Sequence, residues 1–224
     1  MEAARSPIDS YHASYASREI GGMRSVMGTR NRTMRLSVAA ALAVMTLFWV
    51  ASCSGHDAVS DDSFTFVSPG GKINFGYAQG DRGVVRGLSG PNLMSDGRIS
   101  LDDFDGEVLV INFWASWCGP CRGEQDILNL ISRRLHSDGV RFLGINIRDY
   151  GQQSAVDFHR SKNVPYPSIY DPTMRTIASL PGYPASLPST IVLDRHHRVA
   201  HIWLGEIPTG SFEGVISSIA EEHP

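Results

Sequence analysis

Residues 111–124 read INFWASWCGPCRGE, two cysteines three positions apart behind an apolar run and two tryptophans, in a chain with one further cysteine. Such a pair can be part of a metal clip, a structural disulfide, or a reversible two-electron reagent. A structural zinc site wants about four ligands, commonly from a second close pair, and no second CxxC follows; His196, His197 and His201 lie far along the chain. A disulfide closing so short a loop adds little stability. The redox reading is favoured.

The flanking sequence places the pair at a strand-to-helix turn. Val108–Ile111 and Phe142–Ile145 are unbroken apolar runs, as in buried central strands. Between them Ile127, Leu128, Leu130, Ile131 and Leu135 recur at helical spacing, which predicts an amphipathic helix over residues 120–136. A second helix is predicted over Gln152–Lys162, stopped by Asn163 and Pro165. Ser189–Leu193 and Val199–Leu204 read as an antiparallel pair, and Phe212, Val215, Ile216 and Ile219 as a C-terminal helix. From residue 108 the order is β-α-β-α and then β-β-α, an α/β arrangement with the thioredoxin topology, a central mixed sheet flanked by helices.

On that placement Cys118 sits at the helix N-terminus, where free N–H groups and the helix dipole favour an anion. Gly119 and Pro120 follow, the proline where a helix tolerates a missing N–H. A thiol at such a position ionises more readily and exchanges faster. Cys121, one turn inward, is expected to be shielded, so Cys118 attacks and Cys121 resolves.

The chain has 224 residues, 42% hydrophobic and 19% charged, enough for one buried core. Residues 1–35 are polar and basic, with Arg5, Arg18, Arg24, Arg30, Arg32 and Arg35, and Met27 offers a second start. LSVAAALAVMTLFWVA (36–51) is uncharged and leads through small residues to Cys53, the order of a secretory signal. The 16-residue run falls short of the about 20 residues of a membrane span, though an uncleaved anchor stays open beside cleavage. Val50-Ala51-Ser52-Cys53 resembles the lipobox of bacterial lipoproteins, which makes Cys53 the expected lipidation site. Residues 54–63 read as a tether. Residues 64–91 form an N-terminal strand extension, with FTFVSPGGKINFGY (64–77) read as a hairpin about Pro69-Gly70-Gly71 and a short strand near Val84–Leu88. Residues 92–224 are the main domain. Without residues 1–52, which hold six of the 20 basic and three of the 23 acidic residues, 14 basic face 20 acidic side chains, which argues against a nucleic-acid partner.

The segment INFWASWCGPCRGE resembles the active-site pattern NFWAxWCxPCRxExP of the TlpA/ResA-like thioredoxin family, and Gly97-Arg98-Ile99-Ser100-Leu101 with Gly106 resembles that family's lead-in. The likeness spans residues 92–221. It implies that Glu124 is an acid tuning proton transfer to the cysteines, that Leu187-Pro188 is a cis bond beside the disulfide where substrate backbone pairs, and that Trp117 shields the CxxC. Trp117, Gly119, Pro120 and Leu187 would line the substrate groove. One position differs from thioredoxin itself, though not from the exported family, and one from the family pattern. Asn112 replaces the buried aspartate of thioredoxin itself, and Asp126 replaces a proline that kinks the helix. No metal and no cofactor beyond the Cys118–Cys121 disulfide is expected.

These readings predict an extracytoplasmic, lipid- or signal-anchored thiol:disulfide oxidoreductase, mainly a reductase since Gly119-Pro120 is the thioredoxin dipeptide. Family resemblance points to apocytochrome c haem-binding cysteines as target and a membrane thiol carrier as electron donor. A general exported reductase or oxidase is the alternative, as is a vestigial binding module. A Sco-like copper metallochaperone would want CxxxC.

Overall fold

The structure, a computed structural model, describes residues 62–222. The signal, lipobox and Cys53 lie outside the described residues. Strands β1 (Asn74–Gly76), β2 (Ser89–Pro91), β3 (Arg98–Ser100) and β4 (Val108–Trp114) lead into helix α1 (Gly119–Arg134). They are followed by β5 (Val140–Ile147), α2 (Gln152–Ser161), β6 (Ser168–Asp171), β7 (Ser189–Leu193), β8 (Val199–Leu204) and α3 (Phe212–Ala220).

Six strands form one mixed sheet in the order β1-β8-β7-β4-β5-β6, while β2 and β3 pair separately. Strand β4 runs parallel to β5 and antiparallel to β7, with Ile111 opposite both Leu143 and Ile191. All seven residues of β4 are buried, as its unbroken apolar run requires, because both faces of a central strand are covered. Alternation divides them. Val108 and Val110 pack with Leu128 and Ile131 of α1 and with Phe212 and Ile216 of α3, and Trp114 on the same face packs on Phe158 of α2. The three α-helices therefore share one face. Leu109, Ile111 and Phe113 point the other way, onto Phe64, Phe75, Val85 and Leu88 of the extension and Leu180 and Tyr183 of the segment before β7.

Two local expectations are corrected. Residues 64–77 do not form a hairpin: Asn74–Gly76 pairs with β8, Phe64 donates its N–H to Val84, and Phe66 donates to Pro181. Phe64 and Phe75 both reach the sheet face, and that burial outweighs local pairing across the Pro69–Gly71 turn. The strand near Val84–Leu88 reduces to isolated bridges of Val84 with Ser63 and Arg198, and regular pairing begins at Ser89. Strand β6 was not foreseen, since its four residues sit between Pro167 and Pro172. It fits closely against β5: a Cβ on Gly144 would lie 2.2 Å from Ser168 Oγ.

Arg82 fastens the extension. Its guanidinium, with only 5% of the side chain exposed, is 3.1 Å from the equally buried Asp194 carboxylate at the β7–β8 turn, and it also pairs with Glu222 beyond α3.

Candidate active site

Cys118 ends the turn after β4 and is the N-cap of α1, with Pro120 in the first helical turn. Its sulfur accepts the Cys121 N–H at 3.2 Å, satisfying one of the donors that a helix start leaves free. Cys118 and Cys121 are joined as a disulfide with Cα atoms 5.3 Å apart. Both sulfur-bearing residues are covered, 5% and 2% exposed, so the expected contrast between an open and a shielded cysteine is small in this oxidised form. The cover comes from Leu93, Trp114, Ala155 and Phe158, with Leu187 packed against them. Gly119 and Pro120 are exposed.

The two tryptophans take different parts. Trp114 is the buried ring packed with the cysteines, whereas Trp117 is 60% exposed and donates its indole N–H to the Arg148 carbonyl at 3.0 Å. Trp117 therefore offers a fixed, largely exposed apolar surface in the turn before Cys118.

The Leu187–Pro188 bond is cis. The Pro188 carbonyl accepts the Gly205 N–H at 2.9 Å. Leu187, half-buried, touches the cysteine cluster on one side and the main core on the other. The structure thus gathers Cys118, Cys121 and Leu187-Pro188 from sequence positions some 70 residues apart.

Glu124 lies one turn beyond Cys121 on α1 and is only 6% exposed. Its Oε1 accepts from Asn112 Nδ2 at 3.0 Å and its Oε2 from the Ile207 N–H at 3.1 Å. Burial pushes its carboxyl up to about 7, against the two hydrogen bonds that favour the anion and together with the charge of Glu206. Asn112, which also donates to Thr190 Oγ1 at 3.2 Å, orients this acid, a role its own type could not announce. Helix α1 passes Asp126 without a break, and Asp126 pairs on the surface with Lys162 at 3.0 Å. Among the described residues, no group of three or more His, Cys, Asp or Glu is gathered to hold a metal. His201 instead lies on the Trp203 ring, with centroids 4.0 Å apart.

Sequence reasoning missed the supports on the far side of the turn. Asp149, 4% exposed, accepts from Ser116 N, and Asn146 Nδ2 donates to the same oxygen. Neither residue belongs to a motif, and only the β5 register carries them to the cysteines.

A dithiol/disulfide pair at a helix N-terminus, a buried acid one turn behind it and a cis-proline beside it on this sheet define a thioredoxin-fold thiol:disulfide oxidoreductase. The chain belongs to the Redoxin family, whose model matches residues 92–218, and within it is ResA-like. A secreted thiol-disulfide isomerase from Corynebacterium glutamicum is 41% identical, with a TM-score of 0.69, over 71% of this chain and 99% of that one. The thiol-disulfide oxidoreductase ResA of Bacillus subtilis is 25% identical over 130 residues, 56% of this chain and 71% of ResA. The thiol:disulfide interchange protein HelX of Rhodobacter capsulatus is 38% identical over 96 residues, 42% of this chain and 51% of HelX.

Proposed function

We propose that this protein is a membrane-tethered, extracytoplasmic oxidoreductase that acts mainly as a reductase, with the haem-binding cysteine pair of an apocytochrome c as its target. The observation that carries the reductase chemistry is the placement of Glu124, a buried carboxyl near pH 7 one turn from Cys121. In the reduced enzyme the Cys118 thiolate attacks one sulfur of the target disulfide. The S–S bond breaks, the other target sulfur leaves as a thiolate and takes up a proton, and a mixed disulfide forms beside Leu187-Pro188. Glu124 accepts the Cys121 proton. The Cys121 thiolate then attacks Cys118 Sγ and expels the second target sulfur as a thiolate, which takes up the proton held by Glu124. The target gains two electrons and two protons, and the enzyme is left as the Cys118–Cys121 disulfide. A membrane thiol carrier would return the two electrons.

Gly119-Pro120 supports the reducing direction, and the apocytochrome target rests on the TlpA/ResA-like resemblance. Tethering rests on residues 36–53, since no helix among the described residues is long and apolar enough to cross a membrane. The likeness to a secreted isomerase favours a second reading, general disulfide exchange on exported proteins. Cys121→Ser separates the two by stalling the mixed disulfide in cells. Capture of an apocytochrome c is expected; capture of diverse exported proteins without it would move the assignment to the second reading. Anchoring is tested by mass spectrometry of the mature N-terminus. Lipidated Cys53 is expected in the native protein, and an unprocessed form in Cys53→Ser. An identical N-terminus in both would reject the lipobox.

A further inference from the structure

The turn that precedes Cys118 is held from both sides by charged side chains. Ser116 gives its N–H to Asp149 Oδ2 at 2.7 Å, and its carbonyl accepts from Arg122 Nη1 at 3.3 Å. The next residue, Trp117, donates its indole N–H to the Arg148 carbonyl at 3.0 Å, and Cys118 closes the turn with its N–H on Ala115 at 3.1 Å. Arg122 belongs to α1 itself, but Arg148 and Asp149 come from the loop between β5 and α2.

That loop is built for the purpose. Arg148 has a φ of 56°, uncommon for a residue with a Cβ. Asn146 is fully buried and donates Nδ2 to Asp149 Oδ2 at 3.2 Å, while its own Oδ1 has no partner among the described residues. A buried amide with an unpaired acceptor is unfavourable for stability, so packing alone does not account for an asparagine there. Tyr170 of β6 donates its hydroxyl to the Asp149 carbonyl at 2.9 Å, fixing the loop from a third element.

A buried carboxylate bonded to the backbone two residues before Cys118 opposes a thiolate electrostatically, which makes its presence at this turn informative. The geometry points to Asp149 as a positioning residue: oriented by Asn146, it holds the Ser116–Trp117 turn so that the Cys118 sulfur stays at the N-terminus of α1. There the sulfur receives the Cys121 N–H and the helix field, which favour the thiolate. The inference rests on the proposed role of Cys118 as the attacking thiol. What Asp149 supplies is a correctly placed acceptor, and its charge is incidental.

The test is the iodoacetamide alkylation rate of the reduced full-length protein against pH, with the modified cysteine mapped by peptide mass spectrometry. Asp149→Asn keeps an acceptor oxygen and should stay within about twofold of the native rate. Asp149→Ala should be about tenfold slower at pH 7, with its profile displaced to higher pH by about one unit, the displacement that corresponds to a tenfold loss of thiolate. A role through charge predicts the opposite sign, since both variants would then react faster at pH 7. Equal rates in all three proteins, equal slowing in both variants, or acceleration in either would overturn the inference. Trp117→Phe, which deletes the bond to Arg148 along with part of a largely exposed ring, covers the case in which Asp149→Ala does not fold. It should slow Cys118 about threefold, and a native rate would count against the clamp. Preferential labelling of Cys121 in the native protein would instead overturn the assigned order of the thiols, a result separate from any difference among the variants.

Discussion

At the scale of single residues, Glu124 ties stability to chemistry. It would ionise near 4.5 in the unfolded chain and near 7 in the folded one, so between those values the folded state holds the extra proton. Its contribution is therefore intact below about pH 4.5 and is lost as pH rises through about 7. At about 1.4 kcal/mol per pH unit the loss is on the order of 3 kcal/mol. Glu124→Gln should flatten this slope and leave the oxidised variant more stable than the native protein at pH 8, while disulfide exchange slows roughly 10²-fold, the low end for lost acid-base help. Urea midpoints at pH 5 and pH 8, with insulin reduction measured on the same samples, check both. Parallel pH slopes in the two proteins would refute the buried-acid account, and an unchanged exchange rate would remove Glu124 from the proton path.

Among the elements, the extension depends on Arg82. Removing one partner of a buried pair costs about 3–5 kcal/mol when the other charge is left uncompensated, but Asp194 also keeps the Arg198 side chain at 2.8 Å. Asp194 is the buried partner at stake: burial pushes its carboxyl up, yet the N–H groups of Arg198 and His196 and the Arg82 guanidinium hold it below its ordinary value. Arg82→Ala should therefore lower the unfolding free energy read from urea titration by less than that full amount, with thiol exchange little altered, because the pair lies at the β7–β8 turn. A loss below about 1 kcal/mol, the range of an exposed pair, would show that Arg198 and solvent replace the guanidinium. The surface pair Asp126–Lys162 offers contrast: Asp126 is 74% exposed, and pairs of that kind contribute at most about 1 kcal/mol.

For the whole molecule, the segment before the family match is part of the core. Phe64, Phe75, Val85 and Leu88 are each less than 9% exposed and cover the sheet face that the α-helices leave open. Four such side chains represent on the order of 6–12 kcal/mol of burial, comparable to the total stability of a domain. A chain starting at residue 92 should therefore lack a cooperative unfolding transition and bind a hydrophobic dye, while one starting at residue 62 should fold. Cooperative melting of the shorter chain would show that the open face is self-sufficient.

The sequence by itself determined the strand-to-helix turn, the position of Cys118 at its cap and the main strands, because each depends on neighbours within one element. An apolar run of four, a helical period and a proline after a cysteine are local, and the family resemblance added Pro188 and Glu124 through residues adjacent in the chain. Tertiary structure alone decided what depends on register between distant segments. It brought Leu187-Pro188 to the cysteines, set Asn112 and the Ile207 N–H on Glu124, and buried that acid so deeply that its carboxyl is pushed up to about 7 in spite of both hydrogen bonds. It buried Trp114 and left Trp117 exposed, though both are tryptophans in the same short motif. It also dissolved the expected hairpin, since Phe64 and Phe75 lower the free energy more by covering the sheet than by facing each other across a turn. The physical reason is common to these cases: burial and buried hydrogen bonds are properties of a neighbourhood assembled from several strands, and a linear pattern contains only one side of each contact.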